Sequence, residues 1–310
     1  MKKDITFKSK DNLTNIHAAI WIPDKEPIGI IQISHGMNEH INRYEKVANY
    51  FNGYGYIVCG HDHLGHGAST TEPKKLGYFA DKDSKNILIE DLHYLTNYMK
   101  QEYPNLPITL LGYSFGSLIA RNYLPKYSSE IDGLILIGSP VHGKPILIFG
   151  QIAATVISLF KQDKYYRSPY LENKTTGSFR KYYKSNNKVV WLSKDQDYLN
   201  EYLSDPLVKF RFTTNGYKTM FNLIQTAEKD YKLIENKNLP ILILGGKDDP
   251  VTHMGKDPQL LNKTLTKKGL TNVKFKIYNG LRHSLLNEVE KSIVLNDILF
   301  FVNKLNKKED

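Results

Sequence analysis

Short, nearly continuous apolar runs recur along the chain with helically spaced segments between them. Ile28 to Ser34, Tyr56 to Gly60, Ile108 to Leu111, Leu134 to Gly138, Ile241 to Gly245 and Val273 to Tyr278 read as strands, several of them too uniformly apolar to have a wet face. Ile5 to Ser9 and Ile16 to Ile22 read as two more, joined by a hairpin turn at Asp11-Asn12. The helical periods cover Ile41 to Phe51, closed by Gly53 and Gly55, then Lys85 to Tyr103 behind a cap at Asp83-Ser84, with Asp91 at the edge of its apolar stripe. Others run on from Ser117, from Tyr217 to Leu233, from Lys256 to Lys267 and from Leu285 to Leu305. This alternation predicts an α/β fold, an eight-stranded mostly parallel sheet with helices on both faces. It lapses between Val141 and Thr214. There an apolar helical run, Ile146 to Phe160, gives way to Lys- and Tyr-rich sequence and then Trp191-Leu192-Ser193-Lys194-Asp195. Those aromatics are too many for a disordered linker, so residues 141–214 are expected to form an inserted cap between core segments 1–140 and 215–310.

Composition changes this picture little. The 310 residues can bury a large core, and 41% hydrophobic with 24% charged residues is ordinary for a globular protein. The formal charge of +10 raises a nucleic-acid reading, but the lysines are spread along the chain and no aromatic platform alternates with them, so no nucleic-acid partner is expected. The N-terminal stretch is basic without an apolar h-region, which argues against a signal peptide, and the lone Cys59 fits a reducing cytoplasm. The run from Pro145 to Phe160 is too short to span a bilayer.

The loops that follow the strands hold most of the histidines, and ligands of open α/β sheets gather at that edge. Between the Ile108 strand and the next helix stands Gly112-Tyr113-Ser114-Phe115-Gly116. A strand-to-helix turn of this form lifts its central hydroxyl above the sheet, and the helix start offers free N–H groups to a developing anion, so Ser114 is the candidate nucleophile. A serine needs a base, and the base needs an orienting carboxylate. The later post-strand loops supply Asp248 or Asp249 and then His283, in the order Ser, Asp, His. Asp249 is preferred because Pro250-Val251 turns the chain back into the core directly after it. His253 competes as base but follows Asp249 too closely to approach the serine independently. The Phe115 N–H is one expected oxyanion donor, and Met37, behind His35-Gly36, is the candidate for the other. His61, Asp62, His63 and His66 raise a zinc reading, but their Gly-rich loop offers no familiar ligand spacing. No metal and no cofactor is expected, and Asp62 is read as bonding to neighbouring backbone.

With these residues in view, the chain resembles the monoacylglycerol lipase and lysophospholipase branch of the α/β-hydrolases. The resemblance rests on His35-Gly36-Met37-Asn38-Glu39-His40 with Arg43-Tyr44, Asp62-His63-Leu64-Gly65-His66-Gly67, Gly112 to Gly116, Gly246 to Val251, and Tyr278 to Glu288. Trp191 to Asp195, Asp205-Pro206-Leu207 and Phe210 to Thr213 extend it into the insert, and Ser117 is like the bacterial members. The resemblance implies the α/β-hydrolase fold with a cap. It implies Ser114, Asp249 and His283 as nucleophile, acid and base, Met37 and Phe115 as oxyanion donors, and hydrolysis of a lipid-like ester such as a monoacylglycerol or lysophospholipid. Short-chain esterase, thioesterase and peptidase activities stand as alternatives, and so does a non-catalytic ligand-binding role. The Ile146–Phe160 helix has two readings: contact with the inner face of a membrane, or packing on the core.

Overall fold

Strands whose both faces are apolar require cover on both sides, and the architecture follows from that. The computed structural model describes residues 1–306. Its strands are β1 (Lys2–Lys8), β2 (Asn15–Trp21), β3 (Gly29–Ser34), β4 (Tyr56–His61), β5 (Ile108–Tyr113), β6 (Gly133–Ile137), β7 (Ile241–Gly246) and β8 (Val273–Tyr278). Helices α1 (Glu45–Asn52), α2 (Ser84–Glu102) and α3 (Phe115–Tyr127) lie within the first part of the chain. Between β6 and β7 come α4 (Lys144–Lys161), α5 (Pro169–Lys174), α6 (Gln196–Ser204) and α7 (Thr214–Ala227), followed later by α8 (Asp257–Lys267) and α9 (Lys291–Asn306). The strands form one sheet in the order β1-β2-β4-β3-β5-β6-β7-β8, antiparallel at β1–β2 and β2–β4 and parallel from β4 onward.

Alternate residues of each central strand enter separate cores. Ile57, Leu110, Leu134 and Ile243 pack under α2, α3, α7 and α8, whereas Val58, Leu111, Ile135 and Leu244 pack under α1 and α9. Burying each such side chain contributes about 1.5–3 kcal/mol, and a slip of one residue would exchange the two sets.

Several elements differ locally from the sequence reading, each for a visible reason. The chain after His40 opens as a 3-10 turn, Ile41–Tyr44, before α1 begins. Asp83 takes a left-handed φ of 55° and caps nothing; its carboxylate accepts from Asn86 Nδ2 at 2.6 Å, while Ser84 Oγ donates to Ala80 O at 2.9 Å. Helix α7 starts earlier than its apolar period because the Thr213 hydroxyl accepts from the Gly216 N–H at 3.1 Å. Asp91 is not at the helix edge but buried at 1% exposure, where it accepts from Ser9 Oγ and the Lys10 N–H, both at 2.7 Å. Burial raises its carboxyl to about 6, a cost that these bonds to the β1–β2 hairpin offset in part. The last helix does not run from Leu285: a 3-10 turn, Leu285–Asn287, is followed by extended backbone at Glu288, whose side chain turns inward, and α9 starts at Lys291.

The apolar helix of the insert has both a packed and an exposed side. Among the described residues of α4 only Leu147 and Ala154 are buried, while Ile146, Phe149, Ile152, Leu159 and Phe160 are all more than half exposed. One side of α4, Leu147, Ala153, Ala154 and Ile157, therefore packs on the core, and a second apolar side faces solvent. Among the described residues no helix is long and apolar enough to cross a membrane.

Candidate active site

The site begins with a strained residue. Ser114 stands between β5 and α3 at φ 51° and ψ −115°, a conformation that costs about 1–3 kcal/mol for a residue with a side chain. Its N–H is fixed to Ile137 O at 2.8 Å. The flanking glycines are obligatory for packing: a Cβ on Gly116 would lie 2.0 Å from Ser34 O, and one on Gly112 would lie 2.7 Å from Ser117 Cα. The turn therefore sits directly against the end of β3, and the Ser114 hydroxyl remains partly open to solvent.

Two later loops meet this hydroxyl. Ser114 Oγ and His283 Nε2 are 2.8 Å apart, and His283 Nδ1 and Asp249 Oδ2 are also 2.8 Å apart. The tautomer consistent with this chain has Nδ1–H donating to Asp249 and Nε2 accepting from the serine. Asp249 is fully buried, and it accepts further bonds from the Val251 N–H at 2.8 Å and Thr252 Oγ1 at 2.9 Å. Asp248 is half-buried and turned away; its N–H donates to Leu281 O at 3.0 Å and its carbonyl accepts from the Tyr183 hydroxyl. His253 is bonded to Asp257 at 2.9 Å and takes no part in the chain. Two groups that sequence reasoning missed press on the imidazole. The Tyr113 and Trp191 rings lie 5.1 and 5.4 Å from it, and beneath it Gly138 leaves no room, since a Cβ there would be 2.8 Å from His283 Cε1. A glycine after an apolar strand marked that position in the sequence, but nothing marked Trp191 as a neighbour of His283.

The loop behind β3 approaches from the other side. Phe115 opens α3, so its N–H is one of the helix-start groups without an intrahelical partner. Gly36 packs on Tyr113, where a Cβ would be 2.9 Å from the ring, and its N–H is already taken by Glu39 Oε2 at 3.0 Å. Glu39 is itself buried and accepts from the Tyr44 hydroxyl at 2.7 Å. Met37 is the next N–H along the chain after this occupied one. Glu39 is a further residue that sequence reasoning passed over, although it stands three positions after the glycine it binds.

The histidine-rich loop is a buried scaffold beside the site. His35, His61, His63 and His66 are each fully buried. Asp62 accepts from the Ile41 N–H at 2.7 Å and the Ala68 N–H at 2.8 Å, and lies 2.9 Å from His17 Nδ1. Among the described residues no group of three or more His, Cys, Asp or Glu side chains is arranged to hold a metal ion. Burial pushes His61 and His66 down to about 4 and lowers His35 and His63 as well. The unfolded chain, with ordinary imidazoles near 6.5, then binds more protons than the folded one as pH falls. For His61 and His66 this contribution is full above about pH 6.5 and is lost between there and about pH 4, at up to about 1.4 kcal/mol per pH unit each, and His35 and His63 act in the same sense. Asp91, raised to about 6, and His17 and His253, raised by their carboxylate partners, act in the opposite sense, and the four buried histidines together with His93 and His142, also lowered by burial, outnumber them. Thermal melts from pH 7.5 to 4.5 should show a steadily falling Tm; a flat profile would mean these imidazoles are not held neutral.

This arrangement can activate a hydroxyl at a site with helix-start N–H groups beside it, which is the chemistry of acyl transfer. Comparisons with known proteins agree with the fold. The family described as Serine aminopeptidase, S33, matches residues 25–290. The human monoglyceride lipase is 28% identical over 287 residues, covering 91% of this chain and 84% of that one. The monoacylglycerol lipase of Mycolicibacterium smegmatis is 25% identical over 293 residues, covering 91% of both chains. A carboxyl esterase from Bacillus coagulans, solved in complex with glycerol, superposes with a TM-score of 0.89 at 26% identity, covering 98% of this chain and 99% of its own.

Proposed function

Because this chain belongs to the Serine aminopeptidase, S33, family of hydrolases, we propose that it cleaves the carboxylic ester of a monoacylglycerol or lysophospholipid through an acyl-enzyme on Ser114. It is a lipid ester hydrolase in the line of the monoacylglycerol lipases it is similar to. One observation carries the mechanism: the unbroken chain from Ser114 Oγ through His283 to the buried Asp249, two contacts of 2.8 Å each. In the first step His283 Nε2 takes the hydroxyl proton as Oγ bonds to the ester carbonyl carbon. Asp249 stabilises the imidazolium so formed. The N–H groups of Phe115 and Met37 hold the tetrahedral oxyanion, each worth about 3–4 kcal/mol in the transition state. Collapse breaks the bond to the alcohol, which leaves with the proton from His283. Water, deprotonated by the same imidazole, then releases the fatty acid and restores Ser114.

Residues 141–214 act in this reading as a cap. Their outward apolar helix α4 meets a lipid surface from which the substrate is drawn, and twelve Lys and Arg against six Asp and Glu favour an anionic one. The enzyme is accordingly proposed to work in the cytoplasm with peripheral contact at the inner face of the membrane. The peptidase suggested by the family's description would need free acidic groups in the cap to hold a substrate amine. Three of the six acids there are engaged instead: Glu172 with Arg211, Asp205 with His40 and Arg43, and Asp195 with the Tyr198 N–H at the start of α6.

A panel of monoacylglycerols, lysophospholipids, p-nitrophenyl esters of rising chain length and aminoacyl anilides tests the substrate class. Medium- or long-chain lipid esters should exceed p-nitrophenyl acetate in kcat/KM by about tenfold or more. A maximum at acetate, or on the anilides, would contradict the reading. In the same panel, Phe149→Asp with Phe160→Asp should slow hydrolysis of ester presented in anionic vesicles and spare the dissolved short-chain ester.

A further inference from the structure

One stretch of the insert, residues 183–194, is fastened to the loops on both sides of the acid–base pair. The main chain of His283 donates to Trp191 O at 3.3 Å, and that of Ser284 donates to Leu192 O at 2.7 Å. The guanidinium of Arg282 donates through Nη1 to Val190 O at 2.7 Å and to Ser193 O at 2.9 Å, and lies 4.5 Å over the Tyr183 ring. The hydroxyl of Tyr183 donates in turn to the carbonyl of Asp248, next to the carboxylate that holds the imidazole.

Glu288 closes this arrangement from the other end of the histidine loop. Its side chain is fully buried, and among the described residues no basic nitrogen pairs with it. It accepts instead from the Arg282 N–H at 2.6 Å, the Lys194 N–H at 2.8 Å and Ser193 Oγ at 2.9 Å, whose single proton is shared with Asn287 O at the same distance. A buried carboxylate without a cation is costly unless every lone pair is used, and these three donors bind the loop 282–288 to the insert at one point. Its extended backbone, φ −80° and ψ 164°, is also what delays α9 to Lys291.

We propose that Arg282 and Glu288 are positioning residues, which hold the His283 imidazole against Ser114 by fastening its loop to the segment Val190–Lys194 of the insert. The proposal rests on the reading of Ser114, Asp249 and His283 as the catalytic set. Its physical basis is the sensitivity of proton transfer to geometry: a displacement of about 1 Å can cost about a hundredfold in rate. Neither side chain touches the reacting atoms, so each acts only through the placement of the imidazole.

The test uses the full-length protein with Arg282→Lys, Arg282→Ala, Glu288→Gln and Ser193→Ala, each titrated with a fluorophosphonate so that rates refer to competent sites. With p-nitrophenyl butyrate, Glu288→Gln and Arg282→Ala should lose about ten- to a hundredfold in kcat with KM within about twofold. Arg282→Lys should recover part of the loss, because an ammonium reaches one of the two carbonyls but not both. Ser193→Ala, which removes one of three donors, should lose about threefold and keeps the test open if Glu288→Gln does not fold. A variant that is merely less well folded would lower the titrated fraction and leave kcat per titrated site unchanged. Wild-type kcat per titrated site in Arg282→Ala and Ser193→Ala would overturn the proposal. His283→Ala separates the two levels: if it is inactive while these variants match wild type, only the positioning role fails, and if it turns over normally, the catalytic reading fails as well.

Discussion

Replacing Ser114 with alanine lowers kcat for ester hydrolysis by about 10⁵- to 10⁶-fold, the loss typical of removing a serine nucleophile whose partners remain. The size follows from the division of labour at the site. In the proposed mechanism the hydroxyl bonds to the substrate carbonyl, with His283 Nε2 at 2.8 Å to take its proton. The proposed oxyanion donors are main-chain N–H groups and survive the substitution, so a residual rate above that in water persists. Stability should hardly change. The backbone of residue 114 keeps its φ of 51°, and the N–H bond to Ile137 O is main-chain, so Tm should stay within about 3 °C. A variant with wild-type kcat, measured after a purity check by active-site titration, would remove Ser114 from the mechanism.

The second large effect separates two adjacent carboxylates. Asp249→Asn should cost about 10⁴-fold in kcat, whereas Asp248→Asn should stay within about threefold of wild type. An asparagine at 249 retains the shape but can present its amide N–H to His283 Nδ1, which favours the tautomer that carries its proton on Nε2 and cannot accept from serine. It also leaves a neutral side chain where the imidazolium needs a counter-charge. Asp248 contributes to the site through its main chain, and its carboxylate stays half-exposed, so an amide there disturbs little. Steady-state kinetics on one soluble ester decides the matter, and the opposite ranking of the two variants would exchange their roles.

Much of this was legible in the sequence because parallel strands announce themselves. A fully buried strand has no polar face, and the runs at Ile108, Leu134 and Ile241 correspond to β5, β6 and β7 within a few residues. Once those strands are placed, the ligand-bearing edge follows, and Ser114, Asp249 and His283 fall on three loops of that edge. Less was legible wherever a side chain serves a distant main chain. Asp91 looked like an edge residue because nothing near it in the sequence shows that Ser9 and Lys10 supply its donors. Glu288 sits in an apparently continuous helical period, and only the fold reveals that Ser193 and Lys194 turn it inward. The insert is hardest to read for the same reason. Its apolar helix has the same period whether it is packed or exposed, and the answer lies in which neighbours α7 leaves available.

The account depends on an alcohol at position 114 forming the covalent intermediate. Peptide mapping by mass spectrometry after brief reaction with a fluorophosphonate, and after rapid acid quench with a slow ester, tests this most directly. The adduct should fall on the peptide containing Ser114 and be absent from Ser114→Ala. Full labelling of that variant, or an adduct on another residue in the wild type, would contradict the account.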